Sequence, residues 1–192
     1  MSRRASQVDE TRLRITEAAV RLHTTVGPSE TSFAAVAQAA GVTRLTLYRH
    51  FADRDELFAA CMGHWRAQHP APDVDAWRGP RSIEGRVRRA IGELYAWYTE
   101  HGADLYPLYR DAAFTPATTH DARRRNLERM TDAIVGDFRG ARAGGARTTL
   151  RAAVNHALGF WTWRSLVVEE GCTEQEAAEL AVRFVLSARR LR

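Results

Sequence analysis

Apolar residues in this chain recur at steps of three and four almost throughout, rather than alternating with polar ones as a half-buried strand requires. That spacing predicts an all-α protein. Ile15, Ala18, Ala19, Leu22 and Val26 share one helical face that stops at Gly27-Pro28. Phe33, Val36, Ala37 and Ala40 make a short second helix, opened by Thr31 or Ser32 as cap and closed by Gly41. Thr43 caps a third that carries Leu47, Tyr48 and Phe51, and Asp53 with Glu56 forms the capping box of a fourth. Four helices are thus expected over residues 10–68.

The stretch 68–80 holds Pro70, Pro72, Gly79 and Pro80 without an apolar period and reads as a connector. Longer helices are expected near 82–101, 104–112, 117–139, 147–170 and 173–191, the last opened by Thr173 and Glu176 as a second capping box. A length of 192 residues suits one or two domains with a buried core, divided here into 1–65 and 66–192.

Composition narrows the chemistry. The two cysteines, Cys61 and Cys172, are far apart and form no CxxC pair, which excludes a disulfide framework and argues against a structural metal. The seven histidines are scattered, and His64 and His69 miss the i, i+4 spacing of a helical metal pair. All 28 basic residues are arginine, so a Walker A loop and lysine Schiff-base chemistry are excluded. Neither a GxSxG elbow nor a Gly-rich dinucleotide loop is present. These absences lead us to expect no enzyme activity, cofactor or metal. The start, Met1-Ser2-Arg3-Arg4, carries no apolar leader and no window holds 18 uninterrupted apolar residues, so a cytoplasmic protein without membrane attachment is expected.

The net charge of +5 permits a polyanionic partner without locating one. Residues 1–65 hold 8 Arg against 7 Asp plus Glu, leaving 20 against 16 of the totals of 28 and 23 for the remainder, so the excess is spread out. Pattern is more informative than charge. Residues 31–51 run helix, Gly41 turn, helix, with small Ala37 where two helices would cross and with Val42 and Leu47 anchoring the second. A helix-turn-helix needs those features, and its second helix must keep a polar outer face. Arg44, Thr46, Arg49 and His50 supply such a face: arginine holds guanine by two hydrogen bonds, threonine meets a thymine methyl or a phosphate, and histidine donates to phosphate.

Taken together, Thr31-Ser32-Phe33, Val36-Ala37, Ala40-Gly41-Val42-Thr43-Arg44, Leu47-Tyr48-Arg49-His50-Phe51 and Asp53-Arg54-Asp55-Glu56-Leu57 resemble the DNA-binding domain of the TetR family of transcriptional regulators. Ile15, Ala18, Ala19, Leu22 and Gly27 extend the resemblance over about residues 11–60. It implies that Arg44, Leu45, Thr46, Tyr48, Arg49 and His50, with Thr43 at their start, lie in the major groove. It also implies that Ser32 and Arg54 clamp the phosphate backbone. Tyr48 has a second reading, as a brace within the motif, and Arg54 as a solvated charge. Arg3 and Arg4 read as a disordered tail, with entry into a minor groove as the alternative. Two positions depart from the family pattern: His23 replaces a common core aromatic, and Leu45 replaces a small residue and so suits a thymine methyl.

The second domain is rich in aromatics, among them Tyr95, Trp97, Tyr98, Tyr106, Tyr109, Phe138, Phe160, Trp161 and Trp163. On a helix over 147–170, Trp161 and Trp163 point to opposite sides, one inward and one toward a partner. Here the resemblance implies a ligand-binding and dimerisation domain joined to the first by the fourth helix. Ala177, Leu180, Ala181, Phe184 and Ala188 are the interface candidates. Trp97, Tyr98, Tyr106, Arg110, Asn155, His156 and Phe160 are the candidates for a ligand pocket, with core filling as the plainer reading. The expected protein is a bacterial homodimeric repressor that binds a palindromic operator and is released by a small molecule. The alternative is a helical small-molecule-binding protein or enzyme in which the helix-turn-helix is only scaffold.

Overall fold

The computed structural model describes residues 3–136 and 145–188. Every regular element among them is helical, as the apolar spacing predicts. Phe138 and residues 189–191, assigned to helices by that spacing, lie outside the described residues, as does Gly144. The chain forms two compact units. The first joins the residues up to Pro70 with Ala103–Asp121, and the second joins Ala71–Gly102 with the residues from Ala122 onward.

The first unit contains α1 (Arg3–Thr25), α2 (Phe33–Ala39), α3 (Arg44–His50) and α4 (Arg54–Gln68), together with the end of α5 (Ile83–Arg110) and a 3₁₀ turn at Ala112–Phe114. Helix α1 begins at Arg3, so the disordered tail expected there is replaced by its first turn. It packs on α2 and α4, and α2 packs on α3. Ile15, Ala18, Ala19, Val36, Leu47, Phe51 and Leu57 are all buried. Full burial of side chains the size of Ile, Leu or Phe stabilises by about 1.5–3 kcal/mol each. Gly27 ends α1 with φ +97°, a left-handed conformation that disfavours a Cβ, and its N–H bonds the Leu22 carbonyl.

In the second unit, α5 and α6 (Ala117–Val135) supply most of their length, followed by α7 (Gly145–Ala157), α8 (Phe160–Arg164), a π turn at Ser165–Glu169 and α9 (Glu174–Ala188), which packs on α7. Three expectations are corrected here. The 68–80 connector contains a packed 3₁₀ turn, Val74–Arg78, whose Trp77 is fully buried and donates from Nε1 to Glu93 Oε2 at 2.7 Å. The break expected between 101 and 104 is absent, because α5 continues through Gly102 and even Pro107. Trp163 lies where a Cβ on Gly102 would stand, so this glycine serves close packing rather than chain reversal.

Conversely, the single helix expected over 147–170 breaks at Gly159, whose ψ of 137° is extended. Two tyrosine hydroxyls on α5 occupy the carbonyls freed at the end of α7: Tyr95 Oη donates to Ala157 at 3.0 Å and Tyr98 Oη to Leu158 at 3.2 Å. Among the described residues, no helix is long and apolar enough to cross a membrane.

Candidate nucleic-acid interface

The helix-turn-helix forms from local chemistry. Ser32 caps α2 by accepting from the Ala35 N–H at 3.1 Å, and Thr43 caps α3 by accepting from the Thr46 N–H at 3.1 Å. Between them Gly41 takes φ +65°, and the Val42 N–H returns to the Ala37 carbonyl at 2.9 Å. Ala37 is buried at the helix crossing and Leu47 is buried beneath α3.

With Leu47 turned inward, Arg44, Leu45, Tyr48 and Arg49 are left exposed. At 3.6 residues per turn these four cover an arc of about 140° on one side of α3. Leu45 is 63% exposed and Tyr48 55%, large values for apolar and aromatic side chains on a folded unit. Thr46 and His50 fall outside that arc and are half-buried; the Thr46 hydroxyl lies 2.9 Å from that of Thr43. Tyr48 also braces the motif, its ring centroid 5.1 Å from that of Phe33. Ser32, Phe33, Tyr48 and Arg54 line one groove of about 540 Å³ beside the exposed arc. Asp53, the cap of α4, receives the Glu56 N–H at 2.8 Å, which sets Arg54 at the first helical position, exposed to solvent.

Arg12 is a positioning residue that the sequence did not reveal. Its guanidinium lies 4.1 Å from the Phe51 ring centroid, donates to the His50 carbonyl, and pairs with Glu56 at 3.0 Å. One side chain of α1 therefore fastens the end of α3 to the start of α4. Its signal is absent from local sequence because its partners are about 40 positions away. The carboxyl of Glu56 is held below its usual range, first by the Ala52 N–H and then by Arg12.

A second clasp holds the turn after α1. Asp111 accepts from the Ser29 N–H at 3.1 Å and the Ser29 hydroxyl at 2.6 Å, and pairs with Arg110 at 2.7 Å. Arg110 also donates to the Val26 carbonyl at 2.8 Å. These contacts, led by Arg110, keep the Asp111 carboxyl far below the ordinary aspartate range.

The ligand-pocket candidates are divided between the two units. Tyr106 and Arg110 belong to the first unit, where Arg110 is engaged by Asp111. In the second unit Tyr98 and Phe160 are buried in an aromatic cluster with Trp163, with ring centroids 5.3–5.7 Å apart. Trp97 is half-buried on α5, its ring against Tyr98 and His101. Asn155 meets the Thr131 hydroxyl and, with His156, lines an outer groove of about 630 Å³ beside Trp161, Leu180 and Phe184. Of the interface candidates, Ala177, Ala181 and Ala188 are buried within the chain itself, whereas Leu180 and Phe184 are exposed.

Comparison with known proteins agrees with this geometry. Residues 15–61 match the family model described as bacterial regulatory proteins, tetR family. Over 60 residues the chain is 45% identical to the HTH-type transcriptional regulator AcrR of Shigella flexneri, a match spanning 31% of this chain and 28% of that protein. Among solved structures, a TetR-like transcriptional regulator from Rhodococcus sp. RHA1 shares the fold with a TM-score of 0.59 at 23% identity, covering 92% of this chain and 93% of the other. NalD, the secondary repressor of the MexAB-OprM multidrug efflux pump in Pseudomonas aeruginosa, aligns with a TM-score of 0.60 at 19% identity, covering 95% and 97%. By sequence, residues 15–61 match the TetR family of bacterial regulatory proteins through the helix-turn-helix, and over nearly its whole length the chain has the fold of TetR-like regulators.

Proposed function

We propose that this protein is a cytoplasmic transcriptional repressor that binds a palindromic operator as a homodimer and is released by a small molecule. The observation that carries the reading is the exposed arc of α3, Arg44, Leu45, Tyr48 and Arg49, flanked by the groove of Ser32 and Arg54. Arg44 and Arg49 reach base edges or phosphates, Leu45 meets a thymine methyl, and Ser32 and Arg54 hold the backbone. Thr43, Thr46 and His50 contribute at the flank of α3.

A second copy fits the outer groove of the second unit. Trp161, Leu180 and Phe184 are each about half exposed, and together they line an apolar face suited to self-association. Two-fold symmetry then sets the two recognition helices about 34–36 Å apart, one turn of DNA. Release by a ligand requires only about 1–3 kcal/mol of coupling between ligand and DNA.

Selection from random duplexes, followed by fluorescence anisotropy on the enriched sequence, tests this reading. A two-fold symmetric site is expected, with log affinity falling against log salt at a slope near −0.9 per phosphate neutralised. An enriched pool without symmetry, or a slope near zero, overturns it.

A further inference from the structure

A cavity of about 280 Å³ opens in the first unit between α1, α2, α4 and the 3₁₀ turn Ala112–Phe114. Its apolar lining includes Phe33, Val36, Leu57, Phe58 and Phe114. Ligand sites for drug-sized molecules run from roughly 300 to 1,000 Å³, so this one admits a single substituted ring. Three phenylalanines make that ring aromatic by preference, through edge and face contacts.

Two polar groups on the lining give the occupant a direction. His23 is only 6% exposed, and its Nδ1 lies 3.2 Å from Cys61 Sγ, which itself lies 3.2 Å from the Phe58 carbonyl. A thiol has one proton. Cys61 S–H donating to Phe58, with His23 Nδ1–H donating to Sγ, satisfies both contacts. That tautomer leaves His23 Nε2 as a hydrogen-bond acceptor on a side chain that lines the cavity. Burial, reinforced by Arg54, lowers the imidazole pKa to about 4, so the ring is neutral at pH 7. The hydroxyls of Thr31 and Thr115 already donate to backbone carbonyls, at 2.7 and 2.8 Å.

Arg54 is exposed on the same lining and has no hydrogen bond or ion pair among the described residues. Asp55 stands next to it on the lining, which favours a singly charged carboxylate over a doubly charged phosphate ester. We propose that the cavity binds a small aromatic acid, whose ring-borne hydroxyl donates to His23 and whose carboxylate pairs with Arg54.

Occupation has a consequence for DNA. Phe33 and Arg54 line both this cavity and the groove that carries Ser32 and Tyr48. A guanidinium engaged by the ligand carboxylate competes poorly for a DNA phosphate, so the ligand weakens operator binding. This second step rests on the DNA-binding reading above, and names the ligand class and the place of its action.

Titration calorimetry of 4-hydroxybenzoate into the full chain, without DNA, tests the site. Saturable binding with a Kd below about 1 mM is expected for so small a ligand. Benzoate lacks the donor and phenol lacks the carboxylate, and each should bind about tenfold more weakly. His23→Phe removes the acceptor and should erase the preference for 4-hydroxybenzoate over benzoate. Ala113→Trp, at an exposed lining position, should block all three whether or not His23→Phe folds. No saturable heat up to millimolar ligand, or a Kd unmoved by Ala113→Trp, overturns the site. Saturating 4-hydroxybenzoate should then lower DNA affinity about fivefold or more in the wild type but not in Ala113→Trp. Undiminished DNA affinity of the saturated protein overturns the competition step. Failure to bind any duplex even without ligand overturns the DNA-binding reading instead.

Discussion

His23 Nδ1 lies 3.2 Å from Cys61 Sγ in the seam between α1 and α4, and the imidazole is 5.1 Å from the Phe58 ring. Position 23 departs from the aromatic core residue that the family resemblance implies, and the structure shows the accommodation. The ring still packs as an aromatic, and a thiol takes its inward nitrogen. Burial pushes the Cys61 pKa up to about 12, so the sulfur stays a neutral thiol.

This pair makes stability depend on pH. The folded protein disfavours the imidazolium, with a pKa near 4 against 6.5 for the free side chain, so the unfolded chain binds more protons between those values. Stability contributed by the neutral ring is complete above pH 6.5 and is lost as pH falls toward 4, by about 3 kcal/mol at most. Urea unfolding of wild type and His23→Phe from pH 7.5 to 4.5 should show the slope in the former and a weaker one in the latter. Parallel curves would contradict the assignment.

The clasp behind the first turn should be sensitive at both ends. Gly27→Ala places a Cβ against the Asp111 carboxylate while keeping a left-handed φ, and should cost about 2–4 kcal/mol. Asp111→Asn leaves Arg110 and Ser29 with a weaker acceptor, and should cost about 1–3 kcal/mol. Because the Asp111 pKa is depressed, its contribution holds above pH 4 and fades as acid approaches the folded value, so the two proteins should converge in stability at low pH. Chemical unfolding monitored by far-UV circular dichroism measures each difference.

The broken helix of the second unit depends on two hydroxyls. Tyr95→Phe and Tyr98→Phe each leave a buried carbonyl at the end of α7 without its donor, and each should cost about 1–3 kcal/mol. The losses should fall short of adding in the double variant, since the two carbonyls are adjacent. Thermal unfolding of the single and double variants is the measurement; no loss in either would show that water replaces the hydroxyls.

Base reading and backbone clamping should separate at Arg44 and Arg54. Arg44→Ala should cost about 1–3 kcal/mol on the selected duplex and far less on a scrambled one, if its guanidinium holds a base. Arg54→Ala should weaken both duplexes alike and reduce the salt slope by about one. Anisotropy titrations at several salt concentrations distinguish them, and equal losses on both duplexes for Arg44→Ala would mean a phosphate contact there.

Sequence alone determined the features that depend on neighbours a few positions away. The spacing of Ile15, Ala18, Ala19 and Leu22, the caps Ser32, Thr43 and Asp53, and the turn glycines Gly27 and Gly41 act within one or two helical turns, and the first four helices follow from them. Tertiary structure decided what Gly102 and Gly159 mean. Gly102 stays inside α5 because Trp163 packs against it, whereas Gly159 interrupts a periodic stretch because Tyr95 and Tyr98 receive the carbonyls released there. Likewise Arg12 on Phe51, Asp111 on Ser29 and Trp77 on Glu93 join residues that no local pattern connects. A helix carries its own hydrogen bonds and so announces itself in sequence, while the choice of which side chain fills or clasps it belongs to the packed chain as a whole.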